Sequence, residues 1–428
     1  MIGLDFGTTN SAIAVARGEE SPILASFPTA AGPVETFRSI LFFDEERRGP
    51  RRRPLPWAGP GAIEAYLEAG GGGRLIQSTK SYLASRVFDK TLIFGHAFTL
   101  ADLIAGLVGS LRQAAEADLG RLDGKVVVGR PVRFVRGDAD EDDRYAQGRL
   151  EAALYTAGFK EVIFEFEPVA AAYHYERGLR RDERLLIADF GGGTSDFCVI
   201  EVGPSRRACP DPRSGILGTS GVGVAGDAFD ARFVRNVVAP ELGLGSLYRP
   251  LAQELEIPHW IYSRLERWHH LSFLRSRETM EALREIERSA LEPDKIAALI
   301  HLIDYDLGFH LYRAVEATKV ALSSTAEATF VFEEPTFTIE KRVRRSDFEA
   351  WIRPELTAIA GCVDGLLADL GLRRGQIDQV FMTGGSSFVP AVRRLFEERF
   401  GADRISAGGE LTSVASGLAL RAQEITGG

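Results

Sequence analysis

The feature that most constrains the fold is a strand–turn–strand pattern near the middle of the chain. Apolar residues 185–188 end at Asp189, the three glycines 191–193 follow Phe190, and a second β-rich run occupies residues 197–202. Two β-rich runs joined by a short glycine turn are typical of a β-hairpin. We therefore predict a hairpin here rather than a strand–helix–strand unit.

The same pattern opens the chain. Residues 2–4 lead into the tripeptide Asp5-Phe6-Gly7, a polar turn follows, and residues 13–15 return as a strand. The tripeptide Asp-Phe-Gly thus occurs twice in the same strand–turn–strand context. Internal similarity of this kind predicts two related halves, each with its own hairpin.

Each hairpin turn has the composition of a phosphate-binding loop. Glycine lets the backbone approach a ligand and point successive N–H groups at an anion. The carboxylates of Asp5 and Asp189 would repel a phosphate unless a divalent cation lies between them. The alternative is an ordinary glycine-rich hairpin, which the recurrence of the pattern disfavours. The pair of hairpins therefore predicts a two-sided site for Mg²⁺ and phosphate.

Composition limits the class of protein. A chain of 428 residues is long enough for two or more domains, and 45% hydrophobic with 26% charged residues is typical of a soluble globular protein. The net charge of −9 argues against a nucleic-acid or membrane partner. Cys198, Cys209 and Cys362 predict neither a zinc site nor a disulfide framework. With no membrane-spanning run and no signal peptide before the first strand, a cytoplasmic protein is expected.

The remaining sequence alternates between strand and helix patterns. The arginine-rich segment 46–56 is predicted to be an exposed loop, with a basic docking patch as the alternative. Predicted helices cover residues 62–69 (stopped by the glycines of 70–73), 100–119, 150–157, the start of 167–173, much of 236–320, and 347–370, and predicted strands cover 38–43, 126–128, 162–166 and the paired strands of 329–343.

Two later segments also have ligand-binding features. Residues 219–230 form a glycine-rich turn that leads into a helix. Residues 379–391 have the pattern strand, glycine turn, helix, and a paired glycine at a helix N-terminus suits phosphate or ribose. Between these segments, Glu316, Lys319 and Ser323 are spaced three and four residues apart and share one face of a predicted helix.

In this order, the motifs resemble the nucleotide-binding domain of the DnaK-type heat-shock protein 70 family, within the actin and sugar-kinase clan, and in particular its short YegD-like bacterial branch. The resemblance extends from Ile2 to Ala422 and is thin over residues 18–73 and 236–310. It implies an α/β actin-like ATPase fold, with ribonuclease H-like duplicated lobes around a central nucleotide cleft.

The resemblance also implies domain boundaries. Lobe I is expected over residues 1–183 with a smaller inserted subdomain at 35–100, and lobe II over residues 184–428 with a mostly helical insertion at 226–312. Because the chain stops soon after its last glycine turn, no C-terminal peptide-binding domain is expected.

Each nucleotide-binding motif of the family can be matched to a position in this sequence. The resemblance implies phosphate contacts at Gly7, Thr8, Thr9, Asn10, Gly191, Gly192, Gly193 and Thr194, a lobe II turn at Gly226 and Asp227, adenosine contacts at Glu316, Lys319 and Ser323, ribose and α-phosphate contacts at Gly384, Gly385 and Ser386, and adenine stacking at Phe388, where the main chaperones usually have an arginine.

The resemblance further implies which residues act on the γ-phosphate. Lys80 lies where the family has its catalytic lysine, and Glu167, in the motif Glu167-Pro168, lies where it has the glutamate that positions water. Thr194 would lie beside the γ-phosphate, and Asp5 and Asp189 would hold Mg²⁺ mostly through its waters. Phosphoryl transfer depends on such positioning and charge stabilisation. Without the family match, Lys80 would be an ordinary surface lysine and Glu316 with Lys319 an exposed ion pair.

A relay of nucleotide state is also implied by the family. In the family, a proline relays the nucleotide state between domains, and Pro131 in the stretch Gly129-Arg130-Pro131 matches it. The proline has an arginine partner in the family, but the acidic run 138–143 follows here, so that partner cannot be assigned in this sequence.

The function implied is that of a monomeric, chaperone-like ATPase that binds ATP or ADP with Mg²⁺ and hydrolyses ATP slowly while its lobes open and close. A client protein or a co-chaperone would be its partner. Two alternatives stay open at this point. One is a small-molecule kinase of the same clan, which would need an aspartate base beside an acceptor pocket. The other is an actin-like scaffold, in which the charged region 236–310 would be an interaction surface.

Overall fold

We analysed a computed structural model of the chain. The structure describes all of Met1–Gly428 except residues 19, 30–31, 70–71, 135–139, 178, 208–211, 251–252, 267–270, 272–273, 408–411 and 428. The predicted glycine stop at 70–73 and the acidic run 138–143 lie partly outside the described residues, and Cys209 lies outside them.

Strands in the described part of the chain form two large sheets and several small ones. They are β1 (Ile2–Phe6), β2 (Asn10–Val15), β3 (Ile23–Leu24), β4 (Phe37–Arg38), β5 (Ile40–Arg48), β6 (Pro54–Ala58), β7 (Arg74–Gln77), β8 (Lys90–Ile93), β9 (His96–Thr99), β10 (Lys125–Arg130), β11 (Glu161–Phe166), β12 (Glu183–Phe190), β13 (Ser195–Val202), β14 (Ile216–Val222), β15 (Leu247–Tyr248), β16 (Leu255–Glu256), β17 (Glu327–Glu334), β18 (Phe337–Arg344), β19 (Gln379–Thr383) and β20 (Ile405–Ala407).

Helices connect and cover these strands. They are α1 (Pro60–Glu68), α2 (Leu100–Leu119), α3 (Asp140–Thr156), α4 (Glu167–Glu176), α5 (Pro204–Arg207), α6 (Gly226–Phe233), α7 (His259–Leu265), α8 (Arg277–Ser289), α9 (Pro293–Asp304), α10 (Gly308–Ser324), α11 (Arg345–Trp351), α12 (Arg353–Asp369), α13 (Pro390–Phe400) and α14 (Ser413–Gly427). No helix in the described ranges is long and apolar enough to cross a bilayer.

The two large sheets have the same topology. The first has the order β11-β10-β1-β2-β3, and the second, written in the same direction, has the order β20-β19-β12-β13-β14. In each five-strand order three neighbouring strands are parallel, and the other two continue as an antiparallel meander. The first sheet has a sixth strand, β4, which pairs with β2. The duplication predicted from the two Asp-Phe-Gly tripeptides is therefore confirmed at the level of whole sheets.

The two predicted hairpins also share one register. In the first, Asp5 pairs with Ala12 across β1 and β2, and in the second Asp189 pairs with Asp196 across β12 and β13. Each turn therefore contains the same number of residues, and the carboxylates of Asp5 and Asp189 occupy equivalent positions. This register makes Ala12 and Asp196 equivalent too, although only the second is acidic.

Helices α4 and α14 connect the two sheets. Helix α14 packs on β1, β2 and β10, whereas α4 packs on β12 and β13, and the two helices pack against each other. A Cβ atom on Gly417 would lie 1.7 Å from the carbonyl oxygen of Ala170, so the helices cross at a point where only glycine fits. At the start of α14, the hydroxyls of Ser413 and Thr383 share a buried hydrogen bond of 2.8 Å.

The chain divides into two compact units. The first contains Met1–Gly226, Ala358–Ser387 and Val392–Gly428, and therefore both large sheets; the second contains Asp227–Thr357 and Phe388–Ala391. In the second unit the buried ring of Phe233 contacts the rings of Phe330, Phe348 and Trp351. The lobe and subdomain boundaries predicted from the sequence stay a prediction.

Two local predictions were wrong in part. The arginine-rich segment 46–56 is a loop only in its middle, because residues 46–48 and 54–56 belong to the paired strands β5 and β6. The guanidinium groups of Arg47 and Arg53 stack on the rings of Trp57 and Phe98 at 3.8 and 4.3 Å. The helix expected at 150–157 begins ten residues earlier in its acidic first turn, at Asp140. Carboxylates at a helix N-terminus are favoured by the helix dipole, which explains why residues 140–143 of the acidic run are helical.

Candidate functional site

The first hairpin turn is held in shape by two serine hydroxyls. The amide of Gly7 donates to Ser11 Oγ at 3.2 Å, and Ser39 Oγ donates to the carbonyl oxygen of Gly7 at 2.7 Å. A Cβ atom on Gly7 would lie 2.0 Å from the carbonyl oxygen of Asn10, so the turn requires glycine there. Thr8 is buried, whereas Thr9 and Asn10 are half-buried. The predicted phosphate-contacting residues thus lie on one tight turn.

Three glycine-containing segments meet at the second hairpin. The amide of Gly191 donates to the carbonyl oxygen of Thr194 at 2.9 Å, which closes the turn. The Cβ position of Gly226 lies 3.0 Å from Ser386 Oγ and 3.7 Å from the carbonyl oxygen of Gly191. Gly384 adopts a positive φ of 84° with its Cβ position 2.1 Å from the carbonyl oxygen of Phe190, so it also requires glycine. The turn of the second hairpin, residues 191–194, therefore lies beside Gly226 and Ser386.

The structure brings Lys80 and Glu167 together. Lys80 lies in the 3₁₀ turn Thr79–Tyr82, and Glu167 is the first residue of α4. Lys80 Nζ donates to Glu167 Oε1 at 2.6 Å, with 9% and 10% of the two side chains exposed. Before this turn, Ser78 has φ 55° and ψ 29°, a left-handed conformation that is uncommon outside glycine. An unusual backbone conformation thus precedes the lysine.

Around this ion pair lies a group of buried carboxylates. Burial, followed by the negative charge of Glu167, raises the pKa of Asp5 to about 7 and that of Asp196 to about 7. The same two causes raise the pKa of Asp189 well above its ordinary value, with Asp5 and Asp196 contributing as well. Burial alone would lower the pKa of Lys80, but Glu167 and Asp5 outweigh it and the pKa is raised. Four carboxylates therefore share one ammonium group.

This charge imbalance fits a divalent cation. Protons or a metal ion must compensate the buried carboxylates, and oxygen ligands are those that Mg²⁺ prefers. Among the described residues, no three His, Cys, Asp or Glu side chains lie close enough together to hold a metal ion directly. An ion that keeps most of its waters agrees with both observations, because Mg²⁺ loses water reluctantly.

Sequence reasoning missed Asp196 as a separate site residue. Its carboxylate accepts hydrogen bonds from the side chain of Thr194 and from the amide of Val132, the latter at 2.9 Å. Through these two hydrogen bonds, Asp196 connects the turn of the second hairpin with the segment that follows Pro131. The predicted hairpin register could have indicated it, because Asp189 and Asp196 are opposite one another in any four-residue turn.

The relay stretch around Pro131 is also bound to α3. The guanidinium group of Arg130 donates to Asp143 Oδ2 and Gln147 Oε1, both at 2.8 Å. The arginine partner that the sequence left unassigned stays unassigned. In the structure, the arginine that precedes Pro131 pairs with an acidic residue of α3.

Residues predicted to contact adenosine belong to the second unit. Glu316, Lys319 and Ser323 lie on α10, and Ser323 Oγ donates to the carbonyl oxygen of Lys319 at 3.1 Å. Lys319 forms an ion pair with Asp230 of α6, the helix that also contains Asp227. The assignment of these residues, and of the exposed ring of Phe388, to the nucleotide stays a prediction.

The chain is similar in sequence to known proteins. Residues 305–428 match the family described as Hsp70 protein. The whole chain aligns with Chaperone protein DnaK of Thermus thermophilus at 26% identity over 450 positions, which is 100% of this chain and 61% of the relative. For the DnaK proteins of Thermosipho africanus and Thermotoga maritima the identity is 25%, over 100% of this chain and 59% and 60% of the relatives. The chain is therefore similar to the Hsp70 proteins.

The Hsp70 match confirms the family resemblance and, with the duplicated sheets, the α/β actin-like fold class. The matched range includes Glu316, Lys319 and the glycine turn at Gly384, while the similarity to DnaK proteins also covers both phosphate loops and Lys80. The chain spans about three fifths of the length of the DnaK relatives it matches. The assignment to the YegD-like branch stays a prediction.

Proposed function

We propose that this chain binds ATP together with Mg²⁺ and hydrolyses it slowly, as the nucleotide-binding part of a chaperone-like cycle. The observation that carries the proposal is the buried Lys80–Glu167 pair, 2.6 Å apart, among the carboxylates of Asp5, Asp189 and Asp196. One ammonium group and an excess of buried negative charge beside two glycine turns match the needs of a cation-bound polyphosphate. The similarity to proteins named Chaperone protein DnaK supports the same conclusion.

The residues that would hold the cation are Asp5 and Asp189. They occupy equivalent positions in the two hairpins. Burial, followed by the neighbouring negative charge, raises the pKa of both carboxylates, and a divalent ion would neutralise that charge. Backbone amides of the turns that contain Gly7 and Gly191 would hold phosphate oxygens. When bound, Mg-ATP supplies the electrophilic phosphoryl group whose transfer to water is the reaction.

Lys80 and Glu167 would divide the chemical work. The raised pKa of Lys80 keeps its ammonium group protonated at neutral pH, so the group can neutralise charge that develops on a phosphoryl oxygen. The carboxylate of Glu167 orients Lys80 and can also accept a hydrogen bond from an attacking water. Thr194, whose side chain bonds Asp196, would hold the phosphate end of the site.

A chaperone-like cycle further requires that the nucleotide state be read by another protein. We propose that the two lobes predicted from the sequence open and close with nucleotide, and that a client or co-chaperone binds one state more tightly than the other. The chain would act in the cytoplasm as a monomer, and neither a nucleic acid nor a membrane would be its partner.

Isothermal titration with ATP, in Mg²⁺ and in EDTA, tests the proposal. We expect saturable binding that is weakened at least about 10-fold without the cation, because phosphate would then face unscreened carboxylates. Phosphate release in the same preparation should be slow relative to the median enzyme turnover of about 10 s⁻¹. No binding at millimolar ATP with Mg²⁺ would refute the proposal, and stimulation by a small-molecule acceptor would favour a kinase instead.

A further inference from the structure

Arg149 makes an unusual set of contacts with the segment that follows Lys80. From its position on α3, its Nη1 atom donates to the carbonyl oxygens of Tyr82, Leu83 and Ser85 at 3.3, 3.2 and 3.0 Å. Its Nη2 atom donates to the carbonyl oxygen of Phe88 at 3.1 Å. One half-buried guanidinium group therefore satisfies four backbone acceptors of a single turn.

This arrangement suits arginine and no other residue. The planar guanidinium fork presents five donors at fixed angles, whereas a lysine ammonium group is a compact point charge on a flexible stem. Residues 83–88 lie outside the regular helices and strands, so Arg149 gives the carbonyl oxygens of Leu83, Ser85 and Phe88 a donor that no helix or strand provides. The carbonyl oxygen of Tyr82, at the end of the 3₁₀ turn, also accepts from the amide of Ser85 at 3.0 Å.

The held segment begins two residues after Lys80. On the other side of Lys80, Ser78 has a left-handed backbone conformation that needs support from its surroundings. Lys80 therefore lies on a short turn with an unfavourable backbone angle before it and an arginine clamp after it. Loss of the clamp would let the turn relax and move the ammonium group relative to Glu167.

We propose that Arg149 is a positioning residue that fixes Lys80 Nζ against Glu167. Arg149 does not itself contact the ion pair; it acts through the backbone of residues 82–88. The inference that this position matters for turnover rests on the proposed ATPase function, whereas the position of Lys80 can be measured without it.

A neighbouring arginine provides a matched control. Arg86 lies in the same segment and forms ion pairs with Glu141 and Asp142 of the same helix, and both arginines stack on Tyr145. Arg86 contacts only side chains, at an exposed surface. It therefore connects residues 82–88 to α3 but donates no hydrogen bond to their backbone carbonyl groups. If any contact between this segment and α3 were sufficient, Arg86→Ala and Arg149→Ala would behave alike.

The test measures how fast each lysine reacts with an amine-reactive ester in the full-length protein without nucleotide, by mass spectrometry of peptides. The variants are Arg149→Ala, Arg149→Lys and Arg86→Ala. Lys319, which is also largely buried in an ion pair, reports general unfolding. We expect the reaction of Lys80 relative to Lys319 to increase several-fold in both Arg149 variants and to stay unchanged in Arg86→Ala.

The same variants are then compared for ATP affinity and single-turnover hydrolysis. A displacement of about 1 Å at a catalytic group can cost up to 100-fold in rate, so we expect at least a 10-fold lower rate in both Arg149 variants with ATP affinity changed less than threefold. If Arg149→Ala does not fold, Arg149→Lys decides the question. Unchanged Lys80 reactivity in a folded Arg149→Lys protein, even with a lower melting temperature, would overturn the proposal. A wild-type protein that binds no ATP would refute the ATPase, while the lysine reactivity would still decide the role of Arg149.

Discussion

Lys80 Nζ donates to Glu167 Oε1 at 2.6 Å, across 87 residues of sequence. The lysine comes from an irregular turn and the glutamate from the first position of α4, so the pair depends on tertiary structure alone. Both groups are buried, and removal of Lys80 would leave Glu167 and the carboxylates of Asp5, Asp189 and Asp196 without this positive charge. The pair therefore determines the electrostatics of the whole carboxylate group.

Substitution Lys80→Ala should separate binding from hydrolysis. We expect ATP to bind with Mg²⁺ but the single-turnover rate to fall by about 100-fold or more, because removal of one charge-stabilising donor typically costs 10²–10³ in rate. Lys90→Ala, at an exposed lysine of the same region, is the control and should leave both quantities unchanged. An unaltered rate in Lys80→Ala would contradict the assignment of Lys80.

Substitution Glu167→Gln keeps the size of the side chain but removes its charge. Since Glu167 raises the pKa of Asp5 and of Lys80, the variant should lower both pKa values. Hydrolysis should fall by about 10²–10⁴-fold, the usual contribution of a general base, with Mg-ATP affinity maintained. Single-turnover kinetics alongside titration calorimetry measure the two quantities, and a loss of affinity without a loss of rate would point to a purely structural glutamate.

Substitution Asp189→Asn should stabilise the metal-free protein while it weakens cation binding. In EDTA, removal of one buried carboxylate relieves repulsion from Glu167, Asp5 and Asp196, and the melting temperature should rise. The Mg²⁺ concentration needed for half-maximal ATP binding should increase by about 10-fold, which corresponds to one charge-assisted contact of roughly 1.4 kcal/mol. A lower melting temperature in EDTA would show that this carboxylate is stabilised without a cation.

The stability of the metal-free protein should decrease as pH rises from about 4 to about 7. The folded state holds protons on Asp5 and Asp196, with pKa values of about 7, that the unfolded chain releases above its ordinary value of 3.8. Protons bound only by the folded state stabilise it at low pH, and that contribution is lost as pH passes through the folded pKa. Thermal unfolding in EDTA over this range measures the slope, and Mg²⁺ should reduce it.

Two variants test whether the buried carboxylate of Asp196 causes this pH dependence of stability. Asp196→Asn should flatten the slope, whereas Asp369→Asn, at an exposed helix position, should leave it as in the wild type. Equal slopes in both variants would mean that the site carboxylates do not contribute.

Substitution Gly417→Ala should strongly destabilise the fold. Its Cβ atom would overlap the carbonyl oxygen of Ala170 at 1.7 Å, and an overlap with backbone requires α4 and α14 to separate. We expect a loss of about 3 kcal/mol or more in the free energy of unfolding, in the upper range for single substitutions. Gly361→Ala on α12 is the control, because its Cβ position has no neighbour within 4 Å. Alanine there should stabilise by up to about 1 kcal/mol through helix propensity. Chemical denaturation compares the two variants.

Much of the site was predictable because it is local in sequence. The hairpins that contain Asp5 and Asp189 were visible from their glycine turns, and their strand ends fixed the positions of both carboxylates. The placement of Lys80 and Glu167 came from the family resemblance, and the structure shows that the two side chains touch. The spacing of residues in the sequence could not predict this contact, because it forms between a 3₁₀ turn and the first residue of a distant helix.

What the sequence did not reveal depends on contacts between distant segments. The role of Asp196 follows from strand register and from the amide of Val132, which is far away in sequence. Arg149 donates to backbone carbonyl groups. Every residue has such a group, so the sequence does not show which carbonyl groups an arginine contacts. The segment 46–56 was predicted to be a loop because its arginines looked solvated, yet stacking on Trp57 and Phe98 lets them cover a paired strand.

The packing of α14 has a consequence for the order of events during synthesis. This helix covers β1, β2 and β10 of the first sheet and supports the helix that begins with Glu167. Those strands and that helix leave the ribosome long before α14 does, and nascent chains grow at only about 5–20 residues per second. For many seconds the apolar faces that α14 will cover are exposed, and Glu167 lacks its final support. We therefore expect the site to mature only after α14 has been translated, so that a nascent chain stalled before α14 does not bind nucleotide.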